Sequence, residues 1–192
     1  KIKVAEPQVG EEELDALKEV LYSGYYVSGP HVKKFEQQFS AYCHTKYGVA
    51  TNSGTAALHV ALAAYGIGPG DEVIVPALTF FSTATSVLHQ NAVPIFADID
   101  PDSYNIDPED IRDKITEKTR AVIPVHLYGN PAEMDAIVEI AEDHDLVVIE
   151  DCAQAHGATY KGHKVGSIGD CGCYSFFATK NMTTGEGGMM VT

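Results

Sequence analysis

The 192-residue sequence has no tryptophan, only two arginines and no apolar run long enough to cross a membrane. A membrane-spanning helix needs about 20 successive apolar residues, and runs such as "LVVI" are far shorter. The first residues also lack the charged-then-apolar pattern of a signal peptide. These absences predict a soluble, cytoplasmic protein without a membrane partner.

Positive charge is scarce, and the formal net charge is −14. Binding to a nucleic acid requires clustered lysine and arginine side chains that neutralise phosphates. We therefore expect no nucleic-acid partner. The hydrophobic content of 45% argues against disorder, and the length suffices for one domain with a sizeable core.

The four cysteines, at positions 43, 152, 171 and 173, form no CxxC pair. Cys171 and Cys173 would lie on one face of a strand, which does not suit a disulfide between them. We expect all four to be small buried residues. A metal site could at most involve Asp151, Cys152, His156 and His163, but their spacing fits no zinc pattern, so no metal is predicted.

Short apolar runs alternate with helical patterns along the chain. Two helical patterns come first, "EEELDALKEVLYSG", ended by Gly24, and "HVKKFEQQFSAYCH". Seven predicted strands follow, most of them separated by helices: "YGVAT", "DEVIVPA", "AVPIFADI", "RAVIPVH", "LVVIED", "CGCYSFF" and "GGMMVT".

This order predicts an α/β fold with a seven-stranded, mostly parallel sheet flanked by helices. The last strand follows "CYSFF" through a turn and can be antiparallel. We divide the chain into an N-terminal helical segment, about 1–45, and a sheet domain, about 46–192.

Ligands of such sheets bind at the carboxyl ends of the strands, where two polar stretches stand out early in the chain. "TNSGTAAL" at 51–58 opens a helix, and Gly54 with the hydroxyls of Ser53 and Thr55 could bind a phosphate there; the alternative is an ordinary N-cap. "PALTFF" at 76–81 places Phe80 where it could stack on a planar ligand; the alternative is core packing.

Two further stretches end later strands. "VVIEDCAQAHGA" puts Asp151 at the end of an apolar strand, where a carboxylate is costly without a partner such as a cationic ligand atom, and Gln154 follows. "CYSFFATKN" places Ser175 in a strand and Lys180 in the loop beyond it. A partly desolvated lysine can act as a nucleophile, although a surface loop lysine is the alternative.

The four stretches together supply the parts of a pyridoxal 5′-phosphate (PLP) site. They offer a phosphate-binding turn, an aromatic side chain for stacking, a carboxylate for the ring nitrogen and a lysine for a Schiff base. No single stretch would establish this, but the combination favours it.

The combined motifs resemble the DegT/StrS-type sugar aminotransferase family, within the fold-type I PLP enzymes. The resemblance extends from "GYYVSGPHVKKFEQQFSAY" through "NSGTAAL", "PALTF", "PVHLYG", "IEDCAQAHGA" and "GSIGDCGCYSFFATKN" to "GEGGMMVT", which covers nearly the whole chain.

By this resemblance, Lys180 forms the Schiff base and shuttles protons, and Asp151 keeps the ring nitrogen protonated. Gln154 lies near the cofactor hydroxyl, and Phe80 stacks on the ring. The implied phosphate ligands are Gly54, Thr55 and Ser175. Some relatives are dehydratases with histidine at the lysine position, so Lys180 favours transamination.

The resemblance also implies a reaction and an assembly. The reaction moves an amino group from a donor, usually glutamate, to a nucleotide-linked keto sugar, in polysaccharide or antibiotic sugar biosynthesis. The assembly is a homodimer whose active site borrows residues from the second subunit. Members of the family carry a C-terminal small domain, which is absent here, so the sequence matches the PLP-binding large domain only.

Two alternatives stay open at this point. One is a non-catalytic fragment that binds the cofactor weakly or not at all. The other is PLP chemistry of the same framework on a non-sugar substrate.

Overall fold

The computed structural model describes residues 5–192 of the chain. Six α-helices and one 3-10 turn, Leu127–Gly129, occur in this range. The helices are α1 (Glu11–Ser23), α2 (Pro30–Tyr42), α3 (Gly54–Ala64), α4 (Ser82–His89), α5 (Pro108–Lys114) and α6 (Met134–His144).

Nine strands were identified: β1 (Gly48–Thr51), β2 (Glu72–Pro76), β3 (Val93–Ala97), β4 (Thr119–Val122), β5 (Val147–Asp151), β6 (Thr159–Tyr160), β7 (His163–Lys164), β8 (Cys171–Ser175) and β9 (Gly188–Val191). Seven of them form one sheet in the order β1-β9-β8-β5-β4-β2-β3. Strand β9 is antiparallel to both of its neighbours, and the other pairs are parallel.

The predicted sheet is therefore confirmed, including its antiparallel last strand. The separate hairpin of β6 and β7 was not predicted. Each of its strands has only two residues, which is too short for an alternating pattern to be visible in the sequence.

Helices cover both faces of the sheet. Since successive strand residues point to opposite sides, neighbouring residues of one strand pack against different helices. Val73 and Val75 pack with α3 and α4, whereas Ile74 between them packs with α5 and α6. A third cluster, including Phe39 and Phe176, packs α2 against the β8–β9 end of the sheet. All four cysteines are buried and free, as expected.

The first helix differs from the others because none of its residues is buried. It ends as the sequence predicts, with Gly24 in the left-handed conformation at φ 77°. In the described range, no helix combines the length and the apolar composition that crossing a membrane would need.

Candidate active site

A cavity of about 350 Å³ opens at the carboxyl ends of the central strands. Its wall combines the start of α3, the segment before α4, the end of β5 and the loop between β8 and β9. All seven predicted site residues line it: Gly54, Thr55, Phe80, Asp151, Gln154, Ser175 and Lys180. Segments more than 120 residues apart in the sequence thus meet at one point.

One end of the cavity is formed by the first turn of α3. Ser53 is the N-cap, and its hydroxyl accepts a hydrogen bond from the Ala56 N–H at 3.1 Å. A Cβ atom at Gly54 would lie only 2.7 Å from the Cβ of Ser175, so a side chain there would collide with the end of β8. The turn thus has a normal N-cap, and its backbone at Gly54 lies close to Ser175. The N–H groups of this helix N-terminus are suited to bind an anion.

Asp151 lies in the cavity wall at the end of β5 and is 4% exposed. Its Oδ1 accepts a hydrogen bond from the Ala153 N–H at 3.1 Å, and its Oδ2 accepts one from the Thr83 hydroxyl at 2.9 Å. Burial raises the pKa of the Asp151 carboxyl, while these two hydrogen bonds and the Lys180 ammonium oppose that rise. A cationic group bound in the cavity would further favour the ionised form.

Thr83 is a site residue that the sequence did not reveal. It belongs to α4, is fully buried and donates to Asp151. Its Oγ1 also lies 2.9 Å from the Thr79 hydroxyl and 3.2 Å from the Phe80 carbonyl oxygen. When Thr83 donates its proton to Asp151, the Thr79 hydroxyl can donate to Thr83. A threonine in the first turn of a helix carries no sequence signal for this role, because only the fold brings it to β5.

Lys180 is partly buried in the loop that follows β8. Its backbone N–H donates to the Phe177 carbonyl at 2.9 Å, which closes a tight turn. Among the described residues that line the cavity, Lys180 alone has a cationic side chain. Because β5 and β8 are parallel neighbours, their ends bring Lys180 and Asp151 to the same cavity.

Phe80 lies at the cavity with 56% of its surface exposed. Its ring centroid is 4.3 Å from that of Phe81, which is 67% exposed. Core packing therefore does not account for Phe80. An exposed aromatic face beside a cavity is suited to cover a planar ligand.

Gln154 is held by the turn after β4. Its Oε1 accepts a hydrogen bond from the Tyr128 N–H at 2.9 Å. The opposite amide orientation would set two donors against each other, so the Nε2 group is the one left for the cavity. Gln154 therefore presents hydrogen-bond donors to a ligand.

The carboxylate of Glu150, next to Asp151, points away from this cavity and is fully buried. Its Oε2 lies 2.9 Å from His126 Nε2 and accepts from the Gly166 N–H at 2.7 Å. Its Oε1 accepts from the N–H groups of Ile168 and Gly169 at 2.8 and 2.7 Å. His126 Nδ1 accepts from the Ala132 N–H, so the neutral ring carries its proton on Nε2 and donates to Glu150.

This pair also bears on metal binding, because ligand atoms of His126, Glu150 and Cys152 lie within 4.8 Å of one another. Both nitrogens of His126 are already used in hydrogen bonds within the protein. The cluster of His126, Glu150 and Cys152 is therefore a structural hydrogen-bond network.

His156, which the sequence offered as a possible metal ligand, packs against Phe39 and Phe176 instead, and burial lowers the pKa of its imidazole.

Neither arginine lies at the cavity. Arg112 is on α5 beside Glu109, and Arg120 is on β4 beside Asp71. This chain therefore offers no arginine clamp for the carboxylate of an amino-acid donor.

Comparison with known proteins gives a match to the model of the DegT/DnrJ/EryC1/StrS aminotransferase family over residues 7–192. Among curated relatives, the spore coat polysaccharide biosynthesis protein SpsC of Bacillus subtilis is 51% identical over 97% of this chain and 48% of its own length. GDP-perosamine synthase of Caulobacter vibrioides is 49% identical over 100% of this chain and 52% of its own.

Solved structures agree in fold. A 3-amino-5-hydroxybenzoic acid synthase superposes with a TM-score of 0.93 at 39% identity, over 97% of this chain and 48% of that one. GDP-4-keto-6-deoxy-D-mannose-3-dehydratase of E. coli, solved with bound hydrated PLP, gives 0.94 at 32% identity, over 100% and 51%. The chain thus spans about half the length of the proteins it matches.

Proposed function

The chain belongs to the DegT/DnrJ/EryC1/StrS aminotransferase family, and on that premise we propose that it is the PLP-binding large domain, residues 1–192, of a sugar aminotransferase. The observation that carries the proposal is the pairing of Lys180, the one cationic side chain among the described lining residues, with the buried carboxylate of Asp151. The reaction would move an amino group from glutamate to a nucleotide-linked keto sugar.

The chemistry of the cavity fits PLP. The first turn of α3, with Thr55 and Ser175, offers donors for a phosphate. The raised pKa of Asp151 calls for a cationic partner, and a protonated pyridine nitrogen is one. Phe80 provides an aromatic face and Gln154 provides hydrogen-bond donors. Bound PLP would supply an electron sink for charge that develops at the donor's α-carbon.

The residues of the chain then have distinct tasks. Lys180 Nζ would be the group that holds the cofactor and, as a free amine, would take a proton from the donor's α-carbon. The Asp151 carboxylate would stabilise the positive charge of the ring nitrogen, and the hydrogen bond from the Thr83 hydroxyl favours the ionised form of that carboxylate. Phe80 shields one face of the site from water.

The sugar assignment draws on the relatives. GDP-perosamine synthase is named for a nucleotide-linked amino sugar, and SpsC is named for polysaccharide biosynthesis. A nucleotide-linked keto sugar is the acceptor that accords with both.

A non-sugar acceptor is the second candidate, and one observation favours it. The similar solved structure of 3-amino-5-hydroxybenzoic acid synthase is named for an aromatic amino acid. The described lining residues include Phe80 and Phe177, whose aromatic side chains would contact a ring as readily as a sugar.

We further propose a homodimer. Phe81 and Tyr128, next to residues that line the cavity, are 67% and 82% exposed. Large apolar groups in such positions commonly lie in an interface. A second copy placed over them would exclude water from the site. Sedimentation of the chain should give twice its monomer mass of 20.7 kDa.

The test is a donor and acceptor panel with the PLP-loaded chain. Formation of 2-oxoglutarate from glutamate is expected, with no product in Lys180→Ala. Amine transfer to a nucleotide-linked keto sugar supports the first candidate, and transfer only to a cyclic non-sugar ketone supports the second. If the chain binds PLP but releases no keto acid from any donor, it is a non-catalytic fragment, and the proposed activity is wrong for this chain.

A further inference from the structure

The turn that holds Gln154 has an unfavourable backbone. Tyr128 has φ 55° although it is not glycine, and Gly129 follows with φ 85°. Two successive left-handed residues are uncommon and persist only where their surroundings impose them. The Tyr128 side chain is 82% exposed, so its own packing does not impose this conformation.

A buried asparagine on another segment holds this turn at both ends. Asn105 is 3% exposed and lies between β3 and α5. Its Oδ1 accepts a hydrogen bond from the Leu127 N–H at 3.1 Å. Its Nδ2 donates to the carbonyls of Asn130 and Pro131 at 3.1 and 3.0 Å. One side chain therefore makes three hydrogen bonds that bracket residues 128 and 129.

The same turn determines which end of the Gln154 amide faces the cavity. The Tyr128 N–H binds Gln154 Oε1 at 2.9 Å, and a Cβ atom at Gly129 would lie 3.5 Å from the Gln154 carbonyl oxygen. If the turn relaxed, Tyr128 would lose this alignment and the amide could rotate. An amide that rotates presents an oxygen to the ligand as often as a donor.

We propose that Asn105 is a positioning residue for the ligand-binding amide of Gln154, acting through the backbone N–H of Tyr128. This rests on the proposed function in one respect, that the ligand facing Gln154 is PLP, whose hydroxyl oxygen on the ring can accept a hydrogen bond. Asn105 itself does not line the cavity. Its influence on affinity is therefore indirect, and Gln154 is the lining residue that its turn contacts.

The first test needs no cofactor. Amide hydrogen exchange of the ligand-free chain, resolved by NMR, should show the Leu127 and Tyr128 amides exchanging about tenfold or more faster in Asn105→Ala than in the unchanged chain. The matched control is Asn130→Ala, which removes an exposed side-chain bond of the same turn to the Ser103 carbonyl. It should leave the Tyr128 amide protected. Equal protection of Tyr128 in all three proteins would overturn the proposal.

The second test is a double-mutant cycle on PLP affinity, measured by absorbance titration. Asn105→Ala should weaken binding by about threefold to tenfold, the effect of one misplaced hydrogen bond. The same change made in Gln154→Ala should have no further effect. An equal loss in both backgrounds would mean that Asn105 acts by another route and would contradict the proposal.

The tests remain decisive if one protein fails. If Asn105→Ala does not fold, Gln154→Ala alone should speed exchange at Tyr128 and leave Leu127 protected, and unchanged exchange at Tyr128 would refute the coupling. If the unchanged chain binds no PLP, the proposed function is wrong. The exchange experiment then still decides whether Asn105 sets the turn.

Discussion

The hydroxyl of Thr83 donates a hydrogen bond to Asp151 Oδ2 across 2.9 Å, and both side chains are buried. This contact joins α4 to the end of β5, 68 positions apart in the sequence. It opposes the effect of burial on the carboxyl group, since a donor favours the ionised form. The charge of Asp151 therefore depends in part on a neutral hydroxyl that α4 supplies.

Removing that donor should make Asp151 harder to ionise. In Thr83→Val, which keeps the shape of the side chain, we expect the pKa of Asp151 to rise above its value in the unchanged chain. The measurement is the ¹³Cγ chemical shift of Asp151 as a function of pH. Thr85→Val is the control, because Thr85 lies on the same helix and its hydroxyl bonds only to the Ser82 carbonyl. An unchanged titration in Thr83→Val would show that the contact has no electrostatic role.

Replacing the carboxylate should stabilise the ligand-free chain. Because burial raises the pKa of Asp151 above its ordinary value of 3.8, the folded state holds this proton more tightly than the unfolded state. Stability then falls as pH rises from about 3.8 through the raised pKa, and stays lower above it. Asp151→Asn lacks this loss, so its Tm should exceed that of the unchanged chain at pH 7 and 8.

The advantage of Asp151→Asn should shrink as pH is lowered towards 4. With saturating PLP the unchanged chain should have the higher Tm, since ligand binding stabilises the folded state and the variant should bind PLP more weakly. Asp102→Asn, an exposed position, controls for net charge. A Tm difference that does not vary with pH would contradict the assignment.

Replacing the buried carboxylate of Glu150 should destabilise the fold, in contrast to the replacement of Asp151. It accepts four hydrogen bonds, and an amide in Glu150→Gln would turn one NH₂ group towards donors. We expect a loss of roughly 2–4 kcal/mol in the free energy of unfolding, in the range for disrupting a buried polar network. Urea unfolding measures it, and the exposed Glu117→Gln should change stability little. A loss below about 0.5 kcal/mol would mean that the network does not support the fold.

Gly54 should tolerate no side chain. In Gly54→Ala the new methyl group would meet the Ser175 Cβ at 2.7 Å, which forces the start of α3 away from β8. We expect weaker binding of both PLP and inorganic phosphate, with the secondary structure preserved by circular dichroism. Gly68→Ala is a suitable control, since a Cβ there meets nothing closer than 4.0 Å. Unchanged phosphate affinity in Gly54→Ala would place the anion elsewhere.

Much of this arrangement could be predicted from the sequence, because it depends on local patterns. Apolar runs between helical patterns predicted the sheet, and polar residues at strand ends, such as Asp151 and Lys180, predicted the residues of the cavity wall. Asn105, Thr83 and His126 could not be found in this way. Each acts through a partner that is distant in sequence, and an isolated polar residue inside a loop or helix has the same pattern whether it is buried or exposed.

The most direct test of Lys180 as the cofactor-binding residue is to mix the purified chain with PLP, reduce with borohydride and map the modified peptide. We expect a new absorbance band before reduction, a label on Lys180 and the loss of both in Lys180→Ala. A label scattered over other lysines, or the same absorbance band in Lys180→Ala, would contradict the assignment of Lys180 as the residue that binds the cofactor.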